Sequence, residues 1–131
     1  MNPRWMGLCC ATLLGASLFG CADDGKDYAG LEFDVQSAPP VLLSIQPDRI
    51  ELVAGVAVQV AVEPLSSGER YGSRDLVTLR AGAEDVFEVY LGQAEREFVL
   101  VGLRAGDSCL NVSVNGEAEE CIPVQVRAEP R

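Results

Sequence analysis

The side chains in this sequence that could do chemistry are mainly carboxylates and cysteines. Twenty Asp and Glu residues stand against ten Lys and Arg, and no His is present, so the formal net charge is −10. Without His, the sequence lacks the commonest general base and the commonest metal ligand. Because so acidic a chain repels phosphate backbones, we expect no nucleic-acid partner.

Two adjacent acid pairs, Glu84-Asp85 and Glu119-Glu120, are the candidates for a glycosidase-type carboxylate pair. That chemistry needs two carboxyl groups facing each other across a cleft, which neighbours on one loop do not provide. The sequence also has no GxSxG elbow, P-loop or GxGxxG turn, and its serines have no His to activate them. We therefore expect a protein that is not an enzyme, with no catalytic residue, cofactor or metal site.

Cys109 and Cys121 each lie six residues from Asn115, at the centre of a predicted hairpin. The alternating residues of its two strands form an apolar inward face: Leu110, Val112, Val114, Ile122, Val124 and Val126. Both cysteines are therefore expected on the outer face, opposite each other. A disulfide would close a 13-residue loop and stabilise the fold by roughly 3 kcal/mol. A redox pair or a thiolate metal site is the alternative, but CxxC spacing and His are both missing. We predict a structural disulfide in an exported protein.

The segment Glu69–Arg74 is the candidate for a contact with a partner. Arg70 and Arg74 flank Tyr71 on a chain that is otherwise acidic, and Arg and Tyr are enriched where proteins bind each other. An ordinary surface loop is the alternative, since loops are polar by default. The sequence thus offers Arg70, Tyr71 and Arg74 as possible partner contacts.

Residues 1–20 have the layout of an export signal. Arg4 precedes an uncharged run of sixteen residues, shorter than the roughly 20 residues of a membrane-spanning helix. The run ends at 18–21 in LFGC, which resembles the lipobox of bacterial lipoproteins. The resemblance implies cleavage after residue 20, acyl chains such as palmitate on Cys21, and attachment to a membrane through them. An ordinary secretory signal and a weak anchor helix are the alternatives.

The same resemblance implies a location in the bacterial cell envelope. In that family an Asp directly after the lipidated Cys favours retention in the inner membrane, and this sequence has Ala22 there. We therefore expect the outer membrane, on its periplasmic side or at the cell surface. The expected partner is an envelope protein that no motif identifies.

Residues 21–40 are predicted to be the lipidated Cys and a flexible acidic linker. Residues 22–40 hold five acids, two Gly and two Pro without a sustained apolar period, a composition typical of solvated segments. A calcium site at Asp23, Asp24 and Asp27 is disfavoured because their spacing does not match a DxDxDG loop. The folded domain is therefore expected to begin at residue 41.

The remaining sequence has the pattern of short β-strands. Valines at 56, 58, 60 and 62 alternate with other residues, as in a strand with one buried face, and Pro64 is expected to end it. Asn115-Gly116 favours a two-residue turn, although the loop could extend to Glu120. Further strands are predicted at 41–45, 50–53, 76–79, 86–90, 98–101, 110–114 and 122–126. About seven strands without helical periodicity predict an all-β antiparallel sandwich over 41–127, with a tail at 128–131.

Four short motifs lie along these strands: SIQP at 44–47, LVAG at 52–55, VGLRAGDS at 101–108 and IPVQV at 122–126. With them, residues 41–127 resemble the bacterial immunoglobulin-like domain, group 2. The resemblance implies an immunoglobulin-like sandwich of the kind found in bacterial surface and adhesin proteins, often as a spacer or binding module. It implies no catalytic residue.

These patterns predict a membrane-anchored envelope lipoprotein with a non-catalytic interaction or spacer module. An accessory subunit of an envelope complex and a small ligand-binding lipoprotein are the alternatives. A subunit would offer a sheet edge for pairing with another chain. A ligand binder would need a concave site with convergent polar groups.

Overall fold

A computed structural model of the protein describes residues 25–39 and 43–129. These residues form strands and turns, with no helix among them. The strands are β1 (Tyr28–Val35), β2 (Ser44–Gln46), β3 (Arg49–Val53), β4 (Ala57–Ser66), β5 (Val77–Ala81), β6 (Phe87–Leu91), β7 (Glu97–Gly102), β8 (Gly106–Val114) and β9 (Glu117–Arg127).

The strands form two sheets that pack face to face. The four-stranded sheet has the order β1-β4-β7-β6, and the five-stranded sheet has the order β2-β3-β9-β8-β5. The predicted all-β sandwich is therefore confirmed in the described part of the chain. Two details of the prediction are wrong. The described residues form nine strands instead of about seven, and β3 pairs with β9 in parallel in a sandwich expected to be wholly antiparallel.

The core lies between the sheets because one face of each long strand is apolar. In β4, Val58, Val60 and Val62 are buried while their neighbours are partly or fully exposed, as the two-residue period requires. β8 and β9 repeat this alternation, which confirms the inward residues predicted for the last hairpin. Those six buried residues are Leu110, Val112, Val114, Ile122, Val124 and Val126.

β1 lies in the segment for which the sequence predicts a flexible linker. That prediction is wrong for residues 28–35, which pair antiparallel with β4. Leu31 is fully buried and Phe33 packs against the core. The composition averages over the whole segment, whereas a strand needs apolar side chains only at alternate positions. The folded domain therefore begins before residue 41.

β4 continues through Pro64, where the sequence predicts its end. The Val62 N–H donates to the Arg96 carbonyl oxygen at 2.9 Å, on the β7 side. Alternation turns the Pro64 nitrogen to the same side, beyond Ala61, the last residue that β7 pairs. The missing N–H of proline therefore removes no bond of the ladder, and Pro64 stays in register with Leu31.

The β8–β9 hairpin turns at Asn115 and Gly116, whose φ angles are 53° and 85°. Positive φ at both positions defines the tight turn that the sequence predicts. The alternative prediction, a loop that extends to Glu120, is wrong because β9 begins at Glu117. The register shifts between Val112, which faces Glu120, and Ser113. The extra residue is Glu119, so β9 carries a bulge there.

Cys109 and Cys121 form the predicted disulfide, with their Cα atoms 5.4 Å apart. Both lie on the outer face of the five-stranded sheet, since the neighbouring inward residue Leu110 is buried. The two-residue turn alone would pair Cys109 with Ile122. The bulge shifts the register by one residue, so that Cys109 faces Pro123 and Cys121 faces Asn111. The two cysteines are therefore diagonal neighbours, and the predicted direct opposition is wrong.

The two sheets meet through their backbones at Gly102. This residue bridges to Ala54, and its carbonyl oxygen accepts a hydrogen bond from the Gly55 N–H at 2.8 Å. A Cβ at position 102 would lie 2.5 Å from the Val53 carbonyl oxygen. Glycine is therefore required here by the close approach of β7 to β3.

Candidate functional site

The predicted contact loop divides between two surfaces. Arg70 and Tyr71 line a depression of about 400 Å³ together with Glu32 and Glu63. Arg74 lines a separate cleft on the side of edge strands β5 and β6. The fold thus brings Arg70 and Tyr71 together but directs Arg74 elsewhere.

Asp75 directly follows this loop and ties together one end of the sandwich. Asp75 is 9% exposed, and its carboxylate accepts hydrogen bonds from the Asn115 side-chain amide at 2.9 Å and the Gly72 N–H at 2.6 Å. Lys26 adds an ion pair at 3.2 Å. These contacts, the bond from Asn115 above all, lower the pKa of Asp75 to about 2. We call this end the loop end; it comprises residues 67–76 and the turns at 92–96 and 115–116.

Arg96 holds the β6–β7 turn against the same loop. Its φ is 63°, in the left-handed region that costs energy for residues other than glycine. The guanidinium donates to the carbonyl oxygens of Asp75, at 2.9 Å, and of Gly72. Its Nη1 also lies 3.7 Å from the Glu63 carboxylate. These contacts offset the backbone strain and fix the turn in position.

An open cleft of about 640 Å³ lies at the loop end, between residues 73–77 and 91–98. Leu76 and Leu91 stand at this cleft and are 65% and 83% exposed. Isolated exposed leucines are ordinary, but two at one cleft form apolar surface that another molecule could cover.

The outer face of the four-stranded sheet has a partly apolar centre. Val99 and Val101 of β7 are half-buried there, and Tyr90, which faces Val99 in the register, is 51% exposed. The Tyr90 hydroxyl donates to Glu88, and this bond raises the pKa of Tyr90.

Carboxylates surround this apolar centre, and no outward strand position of the described sheet carries Lys or Arg. The outer face of the five-stranded sheet is mixed in charge, with Arg49, Arg80 and Arg127 on its strands. Among the described strands, the outer face of the four-stranded sheet therefore carries carboxylates without a strand Lys or Arg beside them. Its carboxylates are those of Glu32, Asp34, Glu63, Glu88 and Glu97.

β6, one of the two edge strands of this sheet, offers backbone groups for pairing. The Gly92 N–H donates to the Glu97 carbonyl oxygen at 2.7 Å, and the Val86 carbonyl oxygen accepts from Leu103 at 2.8 Å. The even-numbered residues of β6 therefore bond to β7. Alternation turns the N–H and C=O of odd-numbered residues such as Val89 away from it.

The acid pairs considered from the sequence take part in contacts within the fold. Asp85 forms an ion pair with Arg104, which lowers the pKa of Asp85. Glu120 accepts a hydrogen bond from the Tyr28 hydroxyl. Burial, together with this bond, raises the pKa of Tyr28, and burial also raises the pKa of Glu119.

Within residues 25–39 and 43–129, no group of three or more His, Cys, Asp or Glu side chains comes together as a possible metal site. The same residues contain no helix long and apolar enough to cross a membrane. Cys21 and the signal segment lie outside the described residues.

Sequence reasoning misses Asp75 and Arg96 because their partners are distant in the chain: Lys26 is 49 positions from Asp75, and Asp75 is 21 from Arg96. A signal does exist for the exposed leucine at 76. It is adjacent to Val77, and a two-residue period lets only one of two neighbours point inward.

No protein-family model matches this sequence, and no curated protein matches it. Among solved structures, the chain is similar to the crystal structure of domains 4 and 5 of the S-layer protein SbsC, with 12% sequence identity and a TM-score of 0.45. The match covers 74% of this chain and 54% of that structure, so the chain spans about half its length.

Proposed function

We propose that the protein is a bacterial envelope lipoprotein whose sandwich, an immunoglobulin-like domain, is a non-catalytic interaction module. Acyl chains on Cys21 attach it to a membrane. Because position 22 is Ala and not Asp, we place it in the outer membrane. The sandwich meets an envelope protein through the outer face of the four-stranded sheet and its free edge.

The observation that supports interaction is the combination of features on that sheet. Tyr90 is half-exposed beside the half-buried Val99 and Val101, and the neighbouring edge strand offers unpaired backbone groups. A passive spacer needs no such surface, whereas an exposed aromatic on an apolar centre is typical of protein interfaces. The carboxylates around it favour a partner that presents Lys and Arg.

The anchor is supported by the lipobox-like sequence at 18–21. Each buried methylene of an acyl chain contributes about 0.8 kcal/mol, so several chains on one residue hold a protein firmly on a bilayer. Intact mass spectrometry tests this step. We expect a mature protein that begins with acylated Cys21, and an unlipidated product beginning elsewhere would overturn the anchor.

The interaction is tested by photo-crosslinking in cells with p-benzoylphenylalanine in place of Tyr90. The matched control carries the same group at Asn111, an exposed position on the outer face of the five-stranded sheet. We expect one envelope protein to be captured from position 90 and not from 111, and capture to be lost with Cys21→Ser. Capture of no protein from either position would refute the interaction module.

An accessory subunit of a larger complex is the second candidate, favoured by the free β6 edge. An edge strand in a complex pairs with a strand of its neighbour. Co-migration of the protein with a stoichiometric partner after detergent extraction would favour the subunit over a transient interaction module.

A further inference from the structure

The residues that precede β1 are bound to the loop end. The Glu69 N–H donates to the Gly25 carbonyl oxygen at 2.8 Å, and the Ser67 N–H donates to the Asp27 carbonyl oxygen at 2.9 Å. Lys26 reaches Asp75 between them. The chain therefore leaves the sandwich toward the N-terminus from the loop end, beginning at Gly25.

Three residues, 22–24, separate Gly25 from Cys21. At about 3.5 Å per extended residue, the Cα atoms of Cys21 and Gly25 can be at most about 14 Å apart. A Cys21 whose acyl chains lie in a bilayer thus brings the loop end close to the headgroups. The flexible spacer of nineteen residues that the composition suggests would leave the orientation of the domain free, and this short connection restricts it.

We infer that the loop end rests on the lipid surface in which Cys21 is anchored, with Leu76 and Leu91 entering the interface. The inference deepens the proposed function and depends on its lipid anchor. It commits to the membrane that holds Cys21 as the molecule that covers the cleft.

The side chains of the loop end suit a lipid interface. Leu76 and Leu91 are the most exposed large hydrophobic residues in the described part of the chain, and both stand at the cleft. Arg70 and Arg74 are exposed and can extend their charged groups to lipid phosphates while their aliphatic stems stay on apolar surface. Tyr71, half-buried beside Arg70, is of a type enriched at the headgroup level.

Apolar burial, not net charge, drives this contact. The exposed acids Glu69 and Glu95 belong to the loop end, Glu95 at the cleft itself, and the exposed Asp27 is bound to it, so anionic lipids would attract it little. The leucines gain from leaving water whatever the headgroup charge. In this orientation the acidic face of the four-stranded sheet stands to the side of the membrane, where an envelope partner can reach it.

A single tryptophan reports the contact. Trp5 is the sole Trp of the sequence and is removed with the signal under the proposed maturation, so one introduced Trp is the only one in the mature protein. The test variants are Leu76→Trp and Leu91→Trp. The matched control is Leu103→Trp at the opposite end, where Leu103 is 40% exposed and its N–H donates to Val86.

The acylated mature form of each variant is reconstituted into vesicles of phosphatidylethanolamine and phosphatidylglycerol with brominated acyl chains. Bromine quenches Trp emission only at close range. We expect Leu76→Trp and Leu91→Trp to be quenched at least about twofold more than Leu103→Trp and to emit at shorter wavelength. The unlipidated control is produced as residues 21–131 with Cys21→Ser, so that Trp5 is absent. Its quenching should fall to the Leu103→Trp level, since two leucines alone bind a bilayer weakly.

The outcomes separate the inference from the function on which it rests. Equal, weak quenching at positions 76, 91 and 103 in a protein that mass spectrometry finds acylated overturns the orientation and leaves the anchor intact. A mature protein without lipid overturns both. Strong quenching at position 103 instead of 91 would mean that the end opposite the loop end faces the membrane, and would also overturn the inference. Folding of each variant is checked by circular dichroism.

Discussion

Leu31→Ala tests whether β1 is part of the sandwich or part of a tether. Leu31 is fully buried in a segment whose acidic composition predicts a flexible linker. A linker residue contributes nothing to stability, so truncation there would be silent. In the fold described here, the same truncation removes three carbon atoms from the core between the sheets.

The magnitude follows from those atoms. At about 0.8 kcal/mol per buried methylene, the lost transfer free energy is about 2.4 kcal/mol, and Leu→Ala changes in cores cost about 2–5 kcal/mol once the cavity is included. Because β1 is an edge strand and can move inward, we expect the free energy of unfolding to fall by about 2–3 kcal/mol. For a domain of this size, that lowers the Tm by about 10–20 °C.

Thermal unfolding of the purified protein, followed by circular dichroism, measures the effect, and urea titration gives the free energy. Leu91→Ala is the matched control, because Leu91 is 83% exposed and its truncation should change stability by less than about 0.5 kcal/mol. A Leu31→Ala protein that melts at the same temperature as Leu91→Ala would refute the inclusion of β1 in the core.

Three further predictions concern stability. Reduction of the Cys109–Cys121 disulfide, or replacement of both by Ser, should lower stability by roughly 3 kcal/mol; an unchanged Tm with and without reductant would contradict this. The pKa of Asp75 is lowered to about 2 from 3.8, so its charged form stabilises the fold above pH 3.8, and this contribution disappears as the pH falls through about 2. In thermal melts across this pH range, Asp75→Asn should weaken the acid-induced drop in Tm. An unchanged drop would count against the contacts of Asp75 as a source of stability. Gly102→Ala should lower the free energy of unfolding by about 1–3 kcal/mol, since its Cβ would lie 2.5 Å from the Val53 carbonyl oxygen. A urea midpoint equal to that of the wild-type protein would disprove the clash.

The strongest sequence patterns predict their elements correctly. Alternating valines specify β4, and the Asn115-Gly116 turn specifies the last hairpin with its buried residues. Such patterns succeed because the two-residue period and the positive φ of a tight turn are local properties of the chain. The disulfide is predictable for the same reason, since both cysteines lie on one hairpin.

The missed features depend on what lies beside a residue in space. β1 is a strand because β4 has a free edge and the core has room for Leu31, and composition reports neither. Pro64 is tolerated because the pairing of β4 with β7 ends at Ala61, before Pro64. The bulge at Glu119 shifts the register of the hairpin by one residue and thereby brings both cysteines to the outer face, as diagonal neighbours.

The sequence likewise predicts only part of the candidate site. The sequence points to the loop holding Arg70, Tyr71 and Arg74, but not to its division between two surfaces. Asp75 and Arg96 bind partners that are 21 to 49 positions away, so no window of sequence contains both members of a pair.

By itself, the sequence determined the all-β class, the inward faces of β4, β8 and β9, the turn of the last hairpin and the disulfide, because each is encoded within a few neighbouring residues. Only the tertiary structure decided where the domain begins, which sheet face gathers the carboxylates and which end carries the exposed leucines. Those properties arise when strands far apart in the chain align side by side. Register and sheet order then set which charges and apolar groups become neighbours.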